Sequence, residues 1–416
     1  METEARDTDA DRWGLLDLTA EQNGEARAGR PGVELVNRVL LHAIRRAASD
    51  VHLEWFRSGA RLRWRIDGVL HVVPESPDRE TARSAVGRIK ALARLDVAEH
   101  RLPQDGRLRV RSGDGAGERS VDLRVAVLPG PFGENVALRL LNAERARALE
   151  DLGMAPEDRA GLLRCLERGE GMILLTGPSG SGKTTTLYAG LRALVTTELK
   201  AMTVEDPIEY EIPGVVQHQV TPQLGFADYA RAFLRQDPDV VVIGEIRDAE
   251  TVSLALRAAM TGHLVLSTLH THDAVAAVRR LRDLGGFLED VTDVLQVVVG
   301  QRLVRRVCAE CGGPKEGSSC TACQGVGYAG RAGVFETILL DDGLRGLFRA
   351  DDGGVRVRER LAHAGRTLAD DAWAKVHAGV TTAEEIRRCV PGIGDPPPRG
   401  TDPVPAPGSL AGGGRV

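Results

Sequence analysis

The sequence predicts an α/β protein: a largely parallel sheet with helices on both faces, preceded by a smaller α+β domain and carrying a small metal-binding insert. Three observations carry that prediction. From Gly171 the chain alternates strand-like and helix-like runs, at 171–176, 183–195, 200–206, 227–236, 240–245, 248–261, 263–268 and 273–285, an order that builds a parallel sheet. The segment Gly177-Pro178-Ser179-Gly180-Ser181-Gly182-Lys183-Thr184 joins the first of those strands to a helix that continues with Thr185. Two Cys-x-x-Cys pairs, Cys308/Cys311 and Cys320/Cys323, stand eight residues apart.

Residues 1–30 are charged and nearly free of periodic apolar positions apart from Trp13 to Leu18, and are expected to form a disordered tail. In the first domain, placed at 31–141, Val33, Val36, Val39, Leu40, Ala43 and Ile44 have helical spacing. Alternating strands follow, in which Leu62, Trp64 and Ile66 share one face and arginines the other. The strands around Val121 to Val127 and Asn135 to Leu140 repeat that design and place Arg124 and Arg139 on polar faces. The Ala-, Arg- and Glu-rich stretch 142–152 reads as a linker to a second domain at 153–390. Within it a helix is expected over 291–307, a cysteine-bearing insert at 306–328 and helical residues from there to about Val390. The Pro- and Gly-rich stretch 391–416 is too poor in apolar residues to pack and is expected to be disordered.

Composition narrows the function. With 42% apolar and 27% charged residues over 416 positions, the chain is an ordinary globular protein of two or three domains. A net charge of -5 and no Lys/Arg stripe with aromatics argue against a nucleic-acid partner. No apolar run approaches the roughly 18–20 residues of a membrane span, and the N-terminus lacks a basic-then-apolar leader. A cytoplasmic location is expected, where paired cysteines point to a metal and not to disulfides. Four thiolates at this spacing close a tetrahedral, structural zinc site; a redox pair is the competing reading.

The segment 177–184 is a phosphate-binding loop in its proper strand–loop–helix setting. Its glycines let amide N–H groups and the helix N-terminus face phosphate. Lys183 is expected to reach the terminal phosphates of ATP and the Thr184 hydroxyl to ligate Mg2+. Two later strands end in acids. Glu245 is assigned to the attacking water and Glu205 to the metal shell or a second water, against the alternative that both cap helices. Gly244 stands where a magnesium-binding Asp is usual, so more of the metal's coordination falls to Thr184. At the tip of a third strand Ser267, Thr268 and His270 are candidate sensors of the terminal phosphate, whereas His263 and His272 are as readily structural.

The phosphate loop, Glu205-Asp206-Pro207-Ile208-Glu209-Tyr210, Leu234-Arg235-Gln236-Asp237-Pro238-Asp239, Gly244-Glu245-Ile246-Arg247-Asp248 and the run from Thr261 to Thr271 occur in one order. The first domain adds Ala48-Ser49-Asp50-Val51-His52-Leu53-Glu54 and Arg101-Leu102-Pro103-Gln104-Asp105-Gly106-Arg107. Together they resemble the ATPase family that powers type II secretion and type IV pilus assembly, over roughly residues 33–390. The resemblance implies a RecA-like ATPase domain and a homohexameric ring with a nucleotide at each subunit boundary. It implies assembly, since retraction motors would lack the four cysteines, and an inner-membrane platform protein as partner, with peripheral placement at the inner face of the cell membrane. Arg124, Arg139, Arg231, Arg235 and Arg247 are the positions it offers for contacting phosphate. A nucleic-acid translocase and a non-hydrolysing nucleotide switch remain the alternatives.

Overall fold

The computed structural model describes residues 14–18, 31–73, 76–114, 117–141, 147–315, 319–350, 354–365 and 367–395. The chain divides after Arg145 into two compact units.

Unit 1 comprises β1 (Gly14–Asp17), α1 (Pro31–Arg45), β2 (Asp50–Phe56), β3 (Gly59–Ile66), β4 (Val69–Val72), α2 (Arg79–Leu92), β5 (Gln104–Asp114), β6 (Gly117–Gly130) and β7 (Gly133–Leu141). Its sheet runs β1-β5-β6-β7-β2-β3-β4 and is antiparallel except where β1 joins β5. Period-two alternation turns Val51, Leu53, Leu62, Trp64, Leu123 and Val125 toward α1 and α2 in one core. The opposite face is charged. Arg107, Arg124, Arg139, Asp50 and Arg65 lie directly across from one another in successive strands. Residues 14–17, expected in a disordered tail, are instead a strand, because Leu16 and the following Leu18 alternate with Asp17 and are 4% and 1% exposed. The rest of that tail, at 1–13 and 19–30, lies outside the described residues.

Unit 2 begins with a 3-10 turn at Leu149–Leu152 whose Leu149 and Leu152 are buried in its core, so this half of the expected linker is part of the domain. Residues 142–146 lie outside the described residues, as does 396–416 of the expected C-terminal tail. There follow α3 (Pro156–Glu167), β8 (Gly171–Thr176), α4 (Lys183–Leu194), β9 (Ala201–Glu205), β10 (Val215–Gln219), α5 (Phe226–Phe233), β11 (Val240–Ile243), α6 (Ala249–Met260), β12 (Leu264–Leu269), α7 (Ala274–Asp283) and α8 (Leu288–Val294). The chain continues through β13 (Leu295–Val307), β14 (Tyr328–Leu339), α9 (Asp342–Ala350), α10 (Val355–His363), α11 (Leu368–His377) and α12 (Ala383–Cys389). The sheet order is β10-β9-β11-β12-β8-β13-β14, parallel except for β14. β8, β9, β11 and β12 are buried along their whole length, as a sheet covered on both faces requires.

Two expectations are corrected here. The helix expected over 291–307 ends at Val294, and 295–307 is β13, parallel to β8. Val297-Val298-Val299 are β-branched and fully buried between β8 and β14, where a strand places side chains on both covered faces. The residues after the insert, expected to be helical, begin with β14, which pairs β13 from Tyr328 to Leu339.

The C-terminal helices are fastened to β13 by a buried carboxylate. Glu385 of α12 is 1% exposed. It accepts hydrogen bonds from the backbone N–H of Arg305 (3.0 Å), the Arg305 guanidinium (2.8 Å) and Arg388 (2.9 and 2.5 Å). Burial alone would raise its pKa, but the hydrogen bonds from Arg388 and then Arg305 outweigh burial and hold it at about 2. A folded pKa below the unfolded value contributes stability above the unfolded pKa of about 4.3 and loses it as pH falls toward the folded one. Glu385→Gln should therefore destabilise unit 2 by about 3 kcal/mol at neutral pH. In denaturant unfolding, its difference from wild type should be constant down to about pH 5 and shrink below about pH 4. A difference that does not vary with pH would show that the carboxylate's charge is not what holds α12.

Candidate nucleotide site and metal centre

The register of the parallel strands brings the site together. Thr176 at the end of β8 lies beside Leu269 of β12 and Gly300 of β13, and Ile243 of β11 beside Ser267 of β12. The loops leaving β8, β11 and β12 therefore open on the same side, outside the carboxyl ends of these strands. β8 is the switch point: β12, β11 and β9 lie on one side of it and β13 on the other.

The phosphate loop turns between β8 and α4. Gly182 has φ 93°, and a Cβ there would stand 2.7 Å from Gln301 Nε2; one on Gly177 would stand 2.4 Å from the Gln301 carbonyl oxygen. Glycine is required at both positions by conformation and by space. Pro178, Ser179, Gly180 and Thr184 are exposed and Thr185 is half-buried, whereas Ser181 is buried. Lys183 Nζ donates to the carbonyls of Gly177 (2.8 Å) and Pro178 (3.1 Å) and stands 3.5 Å from His270 Nδ1. Burial lowers the Lys183 pKa to about 8, with Glu245 opposing and Arg302 assisting. An exposed Thr184 hydroxyl beside a buried ammonium, at the head of a helix, fits a triphosphate with its Mg2+.

From Lys183 the charged groups continue in a line. His270 Nε2 is 3.5 Å from one Glu245 oxygen, Arg247 is 2.9 Å from the other, and Arg247 is 3.5 Å from Asp206. The His270 pKa is lowered, by burial first and then by Lys183, so the ring is neutral near pH 7. Glu245 follows directly on β11 and Gly244, where a Cβ would stand 3.0 Å from the Val204 carbonyl oxygen and 3.3 Å from Glu205 Cα. The close approach of β9 leaves little room for a side chain at that position.

Other candidates lie elsewhere. Glu205 is 5% exposed, and its oxygens accept from Tyr188, Thr203 (2.6 Å) and Gln217 (3.1 Å). Its carboxylate is thus engaged in joining α4, β9 and β10, a set of partners quite unlike the metal shell expected for it. Ser267 and Thr268 donate to the carbonyls of Ile243 (2.6 Å) and Gly244 (2.7 Å), which ties β12 to β11 and leaves His270 as the strand's exposed polar group. His263 sits on the Ala258 carbonyl at the end of α6. Arg231 pairs with Glu250 and Asp228 on the surface, and Arg235 donates to the Arg231 carbonyl. Arg124 and Arg139 belong to unit 1, where Arg139 holds Asp50 at 3.0 Å and Arg124 is its cross-strand neighbour. Sequence reasoning missed Gln301, which abuts the phosphate loop, and the neighbouring Arg302, both buried; a Gln-Arg pair within a strand carries no motif that would single it out.

The four cysteines of the insert converge. Their sulfur atoms all lie within 4.8 Å of one another, with Cys308–Cys320 at 3.9 Å and Cys311–Cys323 at 3.6 Å. Tetrahedral zinc with bonds of about 2.3 Å needs sulfur atoms about 3.8 Å apart. The Gly327 N–H points at Cys323 Sγ from 3.1 Å, as suits a thiolate. The residues therefore fit zinc. The insert leaves β13 and returns in β14, and Tyr328 at its base bonds Thr382 beside α12 (2.7 Å). Cys165 is in the core and Cys389 packs among the C-terminal helices, so neither joins the cluster.

Similarity to known proteins agrees with this geometry. The profile of the family described as Type II/IV secretion system protein matches residues 25–388. The type II secretion system ATPase E of Vibrio cholerae is 42% identical over 388 residues, covering 88% of this chain and 76% of the relative. A crystal structure of the pilus retraction motor PilT with bound ADP matches with TM-score 0.59 and 29% identity over 84% of this chain and 95% of that one. The Legionella pneumophila ATPase DotB shares the fold, with TM-score 0.67 at 23% identity over 91% and 99% of the two chains. The chain belongs to the type II/IV secretion system protein family, a family of P-loop ATPases.

Proposed function

We propose that this chain is the motor of a secretion machine: a homohexamer that hydrolyses ATP at its subunit boundaries. In this reading it drives assembly of type II secretion pseudopili or type IV pili through an inner-membrane platform protein. The observation that carries the hydrolytic part is the line Lys183–His270–Glu245–Arg247 at the carboxyl ends of β8, β11 and β12. Lys183 exchanges two backbone carbonyls for phosphate oxygens, a short reorientation of a group already at the loop. Mg2+, held through Thr184, supplies charge neutralisation on the phosphates. Glu245 takes the proton of the attacking water, and Arg247 and neutral His270 fix its two oxygens from opposite sides.

The arginine face of unit 1 supports a role in binding the phosphates of ATP. Arg107, Arg124 and Arg139 are consecutive across three strands, and only Asp50 intervenes before Arg65. Arginine forks in such a row suit phosphate oxygens, while Asp50, Asp122 and Glu54 pair arginines on the same face. The cysteine cluster supports the assembly direction. No helix among the described residues is long and apolar enough to cross a membrane, so attachment to the inner membrane would run through the platform protein.

Glu245→Gln should lower kcat for ATP by about 100-fold or more while leaving nucleotide affinity within about threefold. Phosphate release and titration with a fluorescent ATP analogue read the two quantities, and unchanged turnover removes Glu245 from its role. Doping wild-type chains with Lys183→Ala should depress activity faster than in proportion to the mutant fraction; strict proportionality would mean that the subunits work alone. The purified chain should carry one zinc per subunit. Stripping it with a chelator should lower the thermal midpoint of unit 2 without abolishing nucleotide binding, and a metal-free protein of unchanged stability would refute the zinc assignment.

A further inference from the structure

We propose that Gln301 and Arg302, adjacent in the middle of β13, are a positioning pair that sets the phosphate loop and the His270 loop relative to each other. The inference rests on the ATPase reading of the same site.

Gln301 is 2% exposed and lies under the phosphate loop. Its backbone carbonyl and its side-chain amide fill the spaces that Cβ atoms on Gly177 and Gly182 would need, so it contacts the loop at both ends. Its Oε1 accepts from Thr186 Oγ1 at 2.9 Å, one turn into α4. Gln301, with Leu303 beside it under Gly182, thus supports the loop from a strand that contributes nothing to the phosphate-binding motif.

Arg302 is 5% exposed, and its guanidinium spans two carbonyls. One nitrogen donates to Gln301 at 3.0 Å and the other to His272 at 2.6 Å. The Gln301 carbonyl it holds is the one that abuts Gly177, and the His272 carbonyl lies two residues beyond His270. A continuous path thus runs from the phosphate loop through Gln301 and Arg302 to the loop of His270. The next residue, Asp273, caps α7 and pairs with Arg358 (3.1 Å), and Glu336 accepts from the Ala274 N–H (2.8 Å). The loop is fixed on its far side as well, and with the Thr271–Thr176 bonds at its near end (2.6 and 3.1 Å) Arg302 is one of two ties to the nucleotide side. The planar fork aims a separate nitrogen at each carbonyl, whereas a lysine at 302 would have to serve both from one nitrogen on a flexible stem.

The two arms make separable predictions in the full-length chain. Arg302→Lys should lower kcat for ATP about tenfold, by letting His270 drift from Lys183 and Glu245, with KM and ATP-analogue affinity within about threefold. Thr186→Val removes the partner of Gln301 without touching the His270 loop. It should raise KM and weaken analogue binding several-fold while changing kcat less. Thermal midpoints close to wild type for both variants, combined with this opposite split, support the pair. Wild-type kcat in Arg302→Lys overturns it, as does a parallel fall of kcat, affinity and thermal midpoint in both variants. Absence of ATP hydrolysis by the wild-type chain counts instead against the ATPase reading.

Discussion

The register of four parallel strands imposes the constraint on which the rest of unit 2 depends. Thr176, Leu269 and Gly300 are neighbours across β8, β12 and β13, and Ile243 is aligned with Ser267 across β11 and β12. Parallel pairing gives evenly spaced ladder bonds with little tolerance for slip, because a one-residue shift would reverse every side chain between two buried faces. The loops leaving β8, β11 and β12 inherit the precision. Lys183, Glu245 and His270 come from three different loops yet stand 3.5 Å apart in sequence along a chain of contacts.

That proximity has an electrostatic cost. Burial lowers the Lys183 pKa to about 8, and the neighbouring carboxylate of Glu245 is what opposes it. Glu245 in turn is shared with Arg247 and His270, so no charge in the row stands without an opposite or a neutral neighbour. In the proposed role Lys183 has only to leave its two loop carbonyls for a triphosphate, and so short a shift keeps reorganisation small. The same logic applies in unit 1, where Asp50 takes Arg139 at 3.0 Å and Arg65 at 3.6 Å on the arginine face.

The phosphate loop, the strands 171–176, 240–245 and 263–268 and the helices between them were legible in the sequence because each carries a local signature. Glycines mark the turn, apolar runs of four to six residues mark buried strands, and 3.6-residue spacing marks helices. The cysteine pairs were legible for the same reason. β13 and β14 were not, since a strand covered on both faces shows no alternation, and Val291 to Val307 reads equally as a buried helix. Only the neighbours settle it: β8 on one side and β14 on the other. Glu205 shows the limit at the level of a side chain. A strand-end acid in a nucleotide-binding sheet suggests metal chemistry, but Tyr188 and Gln217, distant in sequence, take its oxygens. Gln301 and Arg302 failed to stand out because their importance lies in what they touch.

Gly244 joins these threads. The usual Asp of a magnesium-binding strand end is missing here, and space is short: a Cβ at 244 would press on the Val204 carbonyl and the Glu205 backbone. β9 can come that close because the Gly244 N–H bonds the Val204 carbonyl at 2.8 Å and extends the β11–β9 ladder by one residue. The close approach sets the backbone from which Glu245 projects toward His270 and Arg247. An aspartate at 244 would require β9 to give by a few tenths of an ångström beside Glu205, which bonds Tyr188 on the phosphate-loop helix. The glycine is thus part of how Glu245 is aimed, and the same packing leaves little room for a second carboxylate beside it.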